Sequence, residues 1–125
     1  MNLNQVTLPT FNMVATTEFY RGMGFIQIVD TPHYARFECP EGDATFSLSL
    51  CEKTSDNPSV IYFEHEDLDT WVGELQAKGY EFAQMPKDER YLWREAIIFD
   101  PSGNKIKLYW AGENRKNPPW RVPRV

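Results

Sequence analysis

Apolar and polar positions alternate along "QVTLPTF" (5–11), and the period then changes. In "NMVATTEFYRGMG" Phe19 and Met23 stand four apart ahead of a glycine, which predicts a short helix with a C-terminal stop. "FIQIV", "YARFE" and "ATFSLSL" follow as three predicted strands. The second half runs the same course. "SVIYFEH" reads as a strand and "DLDTWVGELQAKG" as a helix, with Asp67 as its N-cap. Leu68, Trp71, Val72 and Leu75 form its apolar face, and Lys78-Gly79 close it. Strands around 81–85, over "YLWREAIIF" and over "KIKLYW" complete the unit. Phe19, Phe25, Phe37, Phe46 and Trp71 are expected in the core.

The parallel between the halves extends to residues. "ARFECPEGD" (35–43) lies 61 residues before "AIIFDPSGN" (96–104), with Ala, Pro and Gly coincident. "GF" at 24–25 lies 55 residues before "GY" at 79–80, and at that offset "QVTLPT" falls on "VIYFEH". The growing offset implies an insertion of about six residues in the second half, expected at "MPKDER". Cys39-Pro-Glu-Gly and Asp100-Pro-Ser-Gly both suit a type I turn. The chain therefore reads as one domain, 1–112, of two strand–helix–three-strand modules at about 3–52 and 58–112. An extended Pro- and Arg-rich tail, 113–125, follows, because "NPPW" and "VPR" disfavour helix.

Composition narrows the classes. A chain of 125 residues fits one domain, and a net charge of −5 argues against nucleic acid as a partner. The tail runs the other way: Arg115, Lys116, Arg121 and Arg124 against Glu113 give it +3, leaving −8 on the rest. No apolar run is long enough to span a membrane, and the start lacks the pattern of a signal peptide, so the cytoplasm is expected. Cys39 and Cys51 are expected too far apart along a hairpin to bridge, which suits a reducing compartment. There is no G-x-S-x-G, P-loop or C-x-x-C motif.

"EFYRGMGF", "FEHEDLDTWVGELQAKGYEF" and "WREAIIFDPSGNKIKLYW" together resemble the vicinal oxygen chelate superfamily over residues 3–110. That group contains glyoxalase I, bleomycin resistance proteins, fosfomycin resistance proteins and extradiol dioxygenases. The resemblance implies an α+β fold of two βαβββ modules whose strands form an incomplete barrel around a cleft. Strand alternation then assigns faces. Gln5, Thr7, Tyr62, Glu64, Lys107 and Tyr109 point to the cleft, with Ser47 and Ser49 as counterparts in the first module. Trp93, Glu95 and Ile97 join them, with Tyr34 and Arg36 opposite.

Metal-dependent members hold a divalent ion at positions that the resemblance places on Gln5, Val60 and Lys107, or on Ser47 in some glyoxalases. Valine has no lone pair, and a lysine ammonium puts positive charge where the ion belongs. His33 and His65 are not placed to replace these ligands. No metal or other cofactor is expected. The leading reading is a metal-free small-molecule binding protein of the bleomycin resistance type, sequestering a drug or aromatic metabolite, with no catalytic residue assigned. Its ligand residues would be Lys107, Tyr109, Trp93, Glu95, Tyr62, Gln5, Thr7, Ser47 and Arg36, Lys107 either taking an anionic or carbonyl group in place of the metal or pairing with Glu95 or Glu64. The alternative is a glyoxalase-type lyase or dioxygenase with a displaced metal site. Family members commonly pair through their modules, so a homodimer is expected.

Overall fold

Strand β1 (Gln5–Thr10) leads into helix α1 (Met13–Met23) through Asn12, whose side-chain oxygen accepts from the Ala15 amide at 3.1 Å. This cap satisfies one of the amide donors that a helix start leaves open. Gly24, at φ 107°, ends the helix by donating back to the Arg21 and Tyr20 carbonyls. Strands β2 (Ile26–Asp30), β3 (Tyr34–Glu38) and β4 (Thr45–Leu50) follow. The second half repeats the order: β5 (Val60–Glu64), α2 (Leu68–Ala77), β6 (Gln84–Asp88), β7 (Arg94–Phe99) and β8 (Lys105–Trp110). The structure is a computed structural model and describes residues 1–53 and 56–123.

Each half builds a four-stranded mixed sheet, ordered β1-β4-β3-β2 in one and β5-β8-β7-β6 in the other. In both, the first strand pairs parallel with the last, and the remaining pairs are antiparallel. Of the four edge strands, β2 and β6 carry a register irregularity against their neighbour. Bulges at sheet edges discourage further pairing. This is the two-module βαβββ fold that the sequence implied.

The chain divides into two compact units, residues 1–59 with 100–104, and residues 60–99 with 105–125. In the first, Tyr20 is fully buried among Phe25, Phe37 and Phe46, with ring centroids 4.9–6.2 Å from its own. Its hydroxyl donates to Asp100 Oδ2 at 2.7 Å. Asp100, 4% exposed, also accepts from Asn104 Nδ2 and from the Ser102 and Asn104 amides. Burial, then the charge and hydrogen bond of Asp100, hold the Tyr20 hydroxyl well above the ordinary tyrosine pKa. In the second unit Leu68, Val72 and Leu75 of α2 are buried, as are Ala96, Ile98, Ile106 and Leu108 of the sheet.

The structure corrects several expectations. "Tyr91-Leu92-Trp93" is not strand, β7 starting at Arg94: Leu92 sits at φ 69°, and the Leu92 amide donates to Glu89 O in a turn. The strand expected at 81–85 lies at 84–88, with Pro86 tolerated because β6 is an edge. The extra length is spread out rather than sited in "MPKDER". β6 begins 58 residues after β2 (84 against 26), and β7 begins 60 after β3 (94 against 34). Asp67 occupies the N-cap position of α2 but makes no side-chain capping bond; its own amide donates to His65 Nδ1 instead. Phe19 and Trp71 are only half-buried, Trp71 stacking on His65.

The tail also departs from extended chain. Gly112–Arg115 form a 3-10 turn, since proline enters only at Pro118 and leaves the earlier amides free to bond. Just ahead of the tail, the Ala111 and Gly112 amides donate to Glu64 Oε2 at 3.0 and 2.9 Å. Gly112 has φ 55°, and a Cβ there would meet the Trp110 ring at 2.9 Å, so glycine alone fits this turn. Arg124 lies outside the described residues.

Candidate functional site

Tyr62 on β5, Trp93 just ahead of β7 and Tyr109 on β8 bring their rings together. Trp93 stacks on Tyr109, with centroids 4.8 Å apart, and Tyr62 meets both rings edge-on. Tyr91, from the β6–β7 turn, packs edge-on against Trp93. These rings enclose a polar centre. Glu95, 2% exposed, accepts from Tyr91 Oη at 2.6 Å and from Lys107 Nζ at 3.2 Å, both at Oε1. Lys107 also lies 5.5 Å from the Tyr62 ring centre. Burial pushes the Lys107 ammonium down, but the bond and charge of Glu95, helped by Tyr62, outweigh it and leave its pKa raised. Burial, reinforced by Glu95, also pushes the Tyr91 hydroxyl up, so it stays a donor.

A cavity of about 350 Å³ opens beside this pair. Tyr62, Tyr91, Trp93 and Glu95 line it together with the tail residues Asn114, Arg115, Pro118 and Trp120. The Trp93 indole N–H donates to the Asn114 carbonyl at 3.3 Å, tying strand to tail. Arg115 lies half-exposed, its Nε 3.8 Å from Glu64 Oε1. The volume is at the lower end for small-molecule sites, and the lining has their usual composition of rings with a few polar groups. A wider depression of about 600 Å³ along α1, lined in part by Val14, Glu18 and Arg21, has no aromatic ring in its wall.

Of the residues expected to contact a ligand, Tyr62, Trp93 and Glu95 line the cavity. Lys107 and Tyr109 support its wall without lining it. Gln5, Ser47 and Arg36 form a separate network in the first unit. There Gln5 Nε2 donates to Ser47 Oγ at 2.7 Å, and Tyr34 Oη lies 2.5 Å from Ser47 Oγ. Arg36 Nε donates to Tyr34 Oη at 3.1 Å, and Thr45 donates to Gln5 Oε1. Ser47 and then Arg36 lower the Tyr34 pKa by bonding its oxygen. Thr7 is exposed on β1. Sequence reasoning assigned no ligand contact to Tyr91, Asn114, Arg115 or Pro118. The one signal available for the tail was Trp120 itself, a large apolar side chain in a Pro- and Arg-rich stretch.

The donor set is a poor match for the metal that the resemblance brings to mind. Val60 offers no lone pair, Lys107 Nζ is held by Glu95, and both oxygen and nitrogen of the Gln5 amide are hydrogen-bonded. Among the described residues no cluster of three or more His, Cys, Asp or Glu could hold an ion. No described helix is long and apolar enough to cross a membrane.

A duplicated βαβββ chain with an aromatic cavity against one of its sheets is the class that fold and site define. The sequence pattern of the Glyoxalase/Bleomycin resistance protein/Dioxygenase superfamily matches residues 2–108, and the chain belongs to that superfamily. It is similar in fold to a glyoxalase/bleomycin resistance protein/dioxygenase from Nocardioides, with TM-score 0.77 and 21% identity over 98% of this chain and 90% of that one. A lactoylglutathione lyase from Agrobacterium tumefaciens gives 0.73 and 18%, covering 87% and 92%. A bleomycin-binding protein complexed with bleomycin gives 0.71 and 15%, covering 88% and 98%. No curated protein matches the chain.

Proposed function

We propose that the chain is a small-molecule binding protein of the glyoxalase/bleomycin resistance type that works without a bound metal and sequesters a drug or aromatic metabolite. The observation that carries this is the aromatic cavity whose carboxylate, Glu95, is already neutralised by Lys107 at 3.2 Å. Rings supply contact area at low entropic cost, and aromatic pairs add about 0.5–1.5 kcal/mol beyond burial. Lys107 acts here by fixing Glu95, and the ligand meets the rings and the tail. The similarity to a bleomycin-binding protein supports the binding reading through the fold alone.

Elemental analysis of protein purified without chelator is expected to show no stoichiometric nickel, zinc, iron or manganese, while an aromatic ligand panel raises the melting temperature. Stoichiometric metal would establish instead the alternative, a lyase or dioxygenase with a displaced metal site. In that case Glu95 or Glu64 would have to ligate, at the cost of their present partners.

The working form is proposed to be a homodimer in the cytoplasm, a compartment that suits the free thiols Cys39 and Cys51. The dimer follows from the family and from exposed Ile26, Ile28 and Trp110. Sedimentation at micromolar concentration is expected to show twice the 14.6 kDa chain mass, and a purely monomeric boundary would refute it.

A further inference from the structure

We propose that the cavity selects a planar aromatic carboxylate, with its ring system against Trp93, Tyr62 and Trp120 and its carboxylate on Arg115, and that the tail sets this choice. The inference rests on the small-molecule reading of the same cavity and adds the ligand's chemistry.

The charges around the cavity decide the sign. Glu95 is paired with Lys107, so a ligand cation would find no uncompensated anion there. Arg115 is placed differently. Among the described residues its one ion-pair or hydrogen-bond partner is Glu64, reached through Nε at a long 3.8 Å. Glu64 in turn accepts the Ala111 and Gly112 amides with its other oxygen. Among the described residues the outer edge of the guanidinium therefore has no partner, on a side chain half-exposed at the cavity wall. That edge is a planar fork of donors that matches a carboxylate in two parallel bonds.

Position along the chain supplies the second part. The superfamily match ends at residue 108, whereas Asn114, Arg115, Pro118 and Trp120 lie beyond it. Part of the lining thus falls within the superfamily match and part in the segment beyond it. Trp120 is 58% exposed, leaving much of an indole uncovered at the cavity. A flat ligand laid between it and the strand aromatics would cover that surface. Glu64 and Gly112 fix where the tail leaves β8, so Arg115 is positioned before a ligand arrives.

The test is calorimetric titration of the full chain with naphthoate, naphthol and naphthylmethylammonium near neutral pH. Naphthoate is expected to bind about 10- to 150-fold more tightly than naphthol, the range for a charge-assisted contact. Arg115→Gln should bring the two to similar affinity, and Trp120→Ala should weaken both together. If naphthol or the ammonium matches naphthoate in the unmodified chain, the carboxylate assignment is wrong and the cavity reading stands. If none of the three binds, both fall.

Discussion

Lys107→Met is expected to lower the unfolding free energy by about 3–5 kcal/mol, because it leaves the Glu95 carboxylate buried without its cation. Glu95 is 2% exposed and the Lys107 side chain 16%, so the little water that reaches the carboxylate from the cavity is a poor substitute for the ammonium. At this chain length the loss corresponds to a fall in melting temperature of roughly 10 °C or more. Adding Glu95→Gln should recover most of it, since the amide carbonyl can still accept from Tyr91 and no charge remains to strand. The pH dependence has a definite sign. Lys107 titrates above its ordinary 10.5 in the folded protein, so its contribution is complete below that pH. It is lost as pH rises through the folded-state value. Tyr91 and Tyr109, both raised chiefly by burial, act in the same direction. The gap between wild type and Lys107→Met should therefore narrow above about pH 10.5 in urea titrations. A melting temperature unchanged by Lys107→Met would show that the pair contributes little.

Asp100→Asn, nearly isosteric, is expected to cost about 3–5 kcal/mol, from hydrogen bonds to a charged group worth about 1.5–3 kcal/mol each. Both carboxylate oxygens face donors. Oδ1 accepts the Ser102 and Asn104 amides, and Oδ2 accepts Tyr20 Oη and Asn104 Nδ2. Whichever way an asparagine amide turned, its NH₂ would point at two donors inside the protein. Tyr20→Phe removes one of these bonds and should cost less. Urea unfolding separates the outcomes: an Asp100→Asn loss below that of Tyr20→Phe would contradict this account.

Much of the frame was legible because strand alternation survives folding. "YARFE" and "KIKLYW" are strands over their full predicted length. Burial alternates along β8 through Leu108, with Lys107 half-buried between buried Ile106 and Leu108. "Tyr91-Leu92-Trp93" misled for a definite reason. Its apolar run resembles a strand, but the left-handed turn at Leu92 is fixed by bonds between Glu89 and the returning chain. The same limit applied to the site. Tyr62, Trp93 and Glu95 followed from alternation, whereas Arg115 reaches the cavity through a turn anchored by Glu64, 51 residues earlier in sequence (115 against 64). Alternation offered Lys107 both Glu95 and Glu64 as partners, but which of the two it takes, and the tail's return, could not be read from local pattern, because each depends on tertiary placement.

The first unit is not one continuous stretch of chain, since it includes residues 100–104. Tyr20 and Asn57 both find side-chain partners in that short piece, and Asn104 donates to the Pro9 carbonyl. The internal repeat therefore does not correspond to two interchangeable cassettes. A ribosome that has made only the first 59 residues has synthesised the Tyr20 ring and its aromatic neighbours but not the acceptor for its hydroxyl. Completion of that core must wait until the second half has almost emerged, which couples the two repeats in time as well as in sequence.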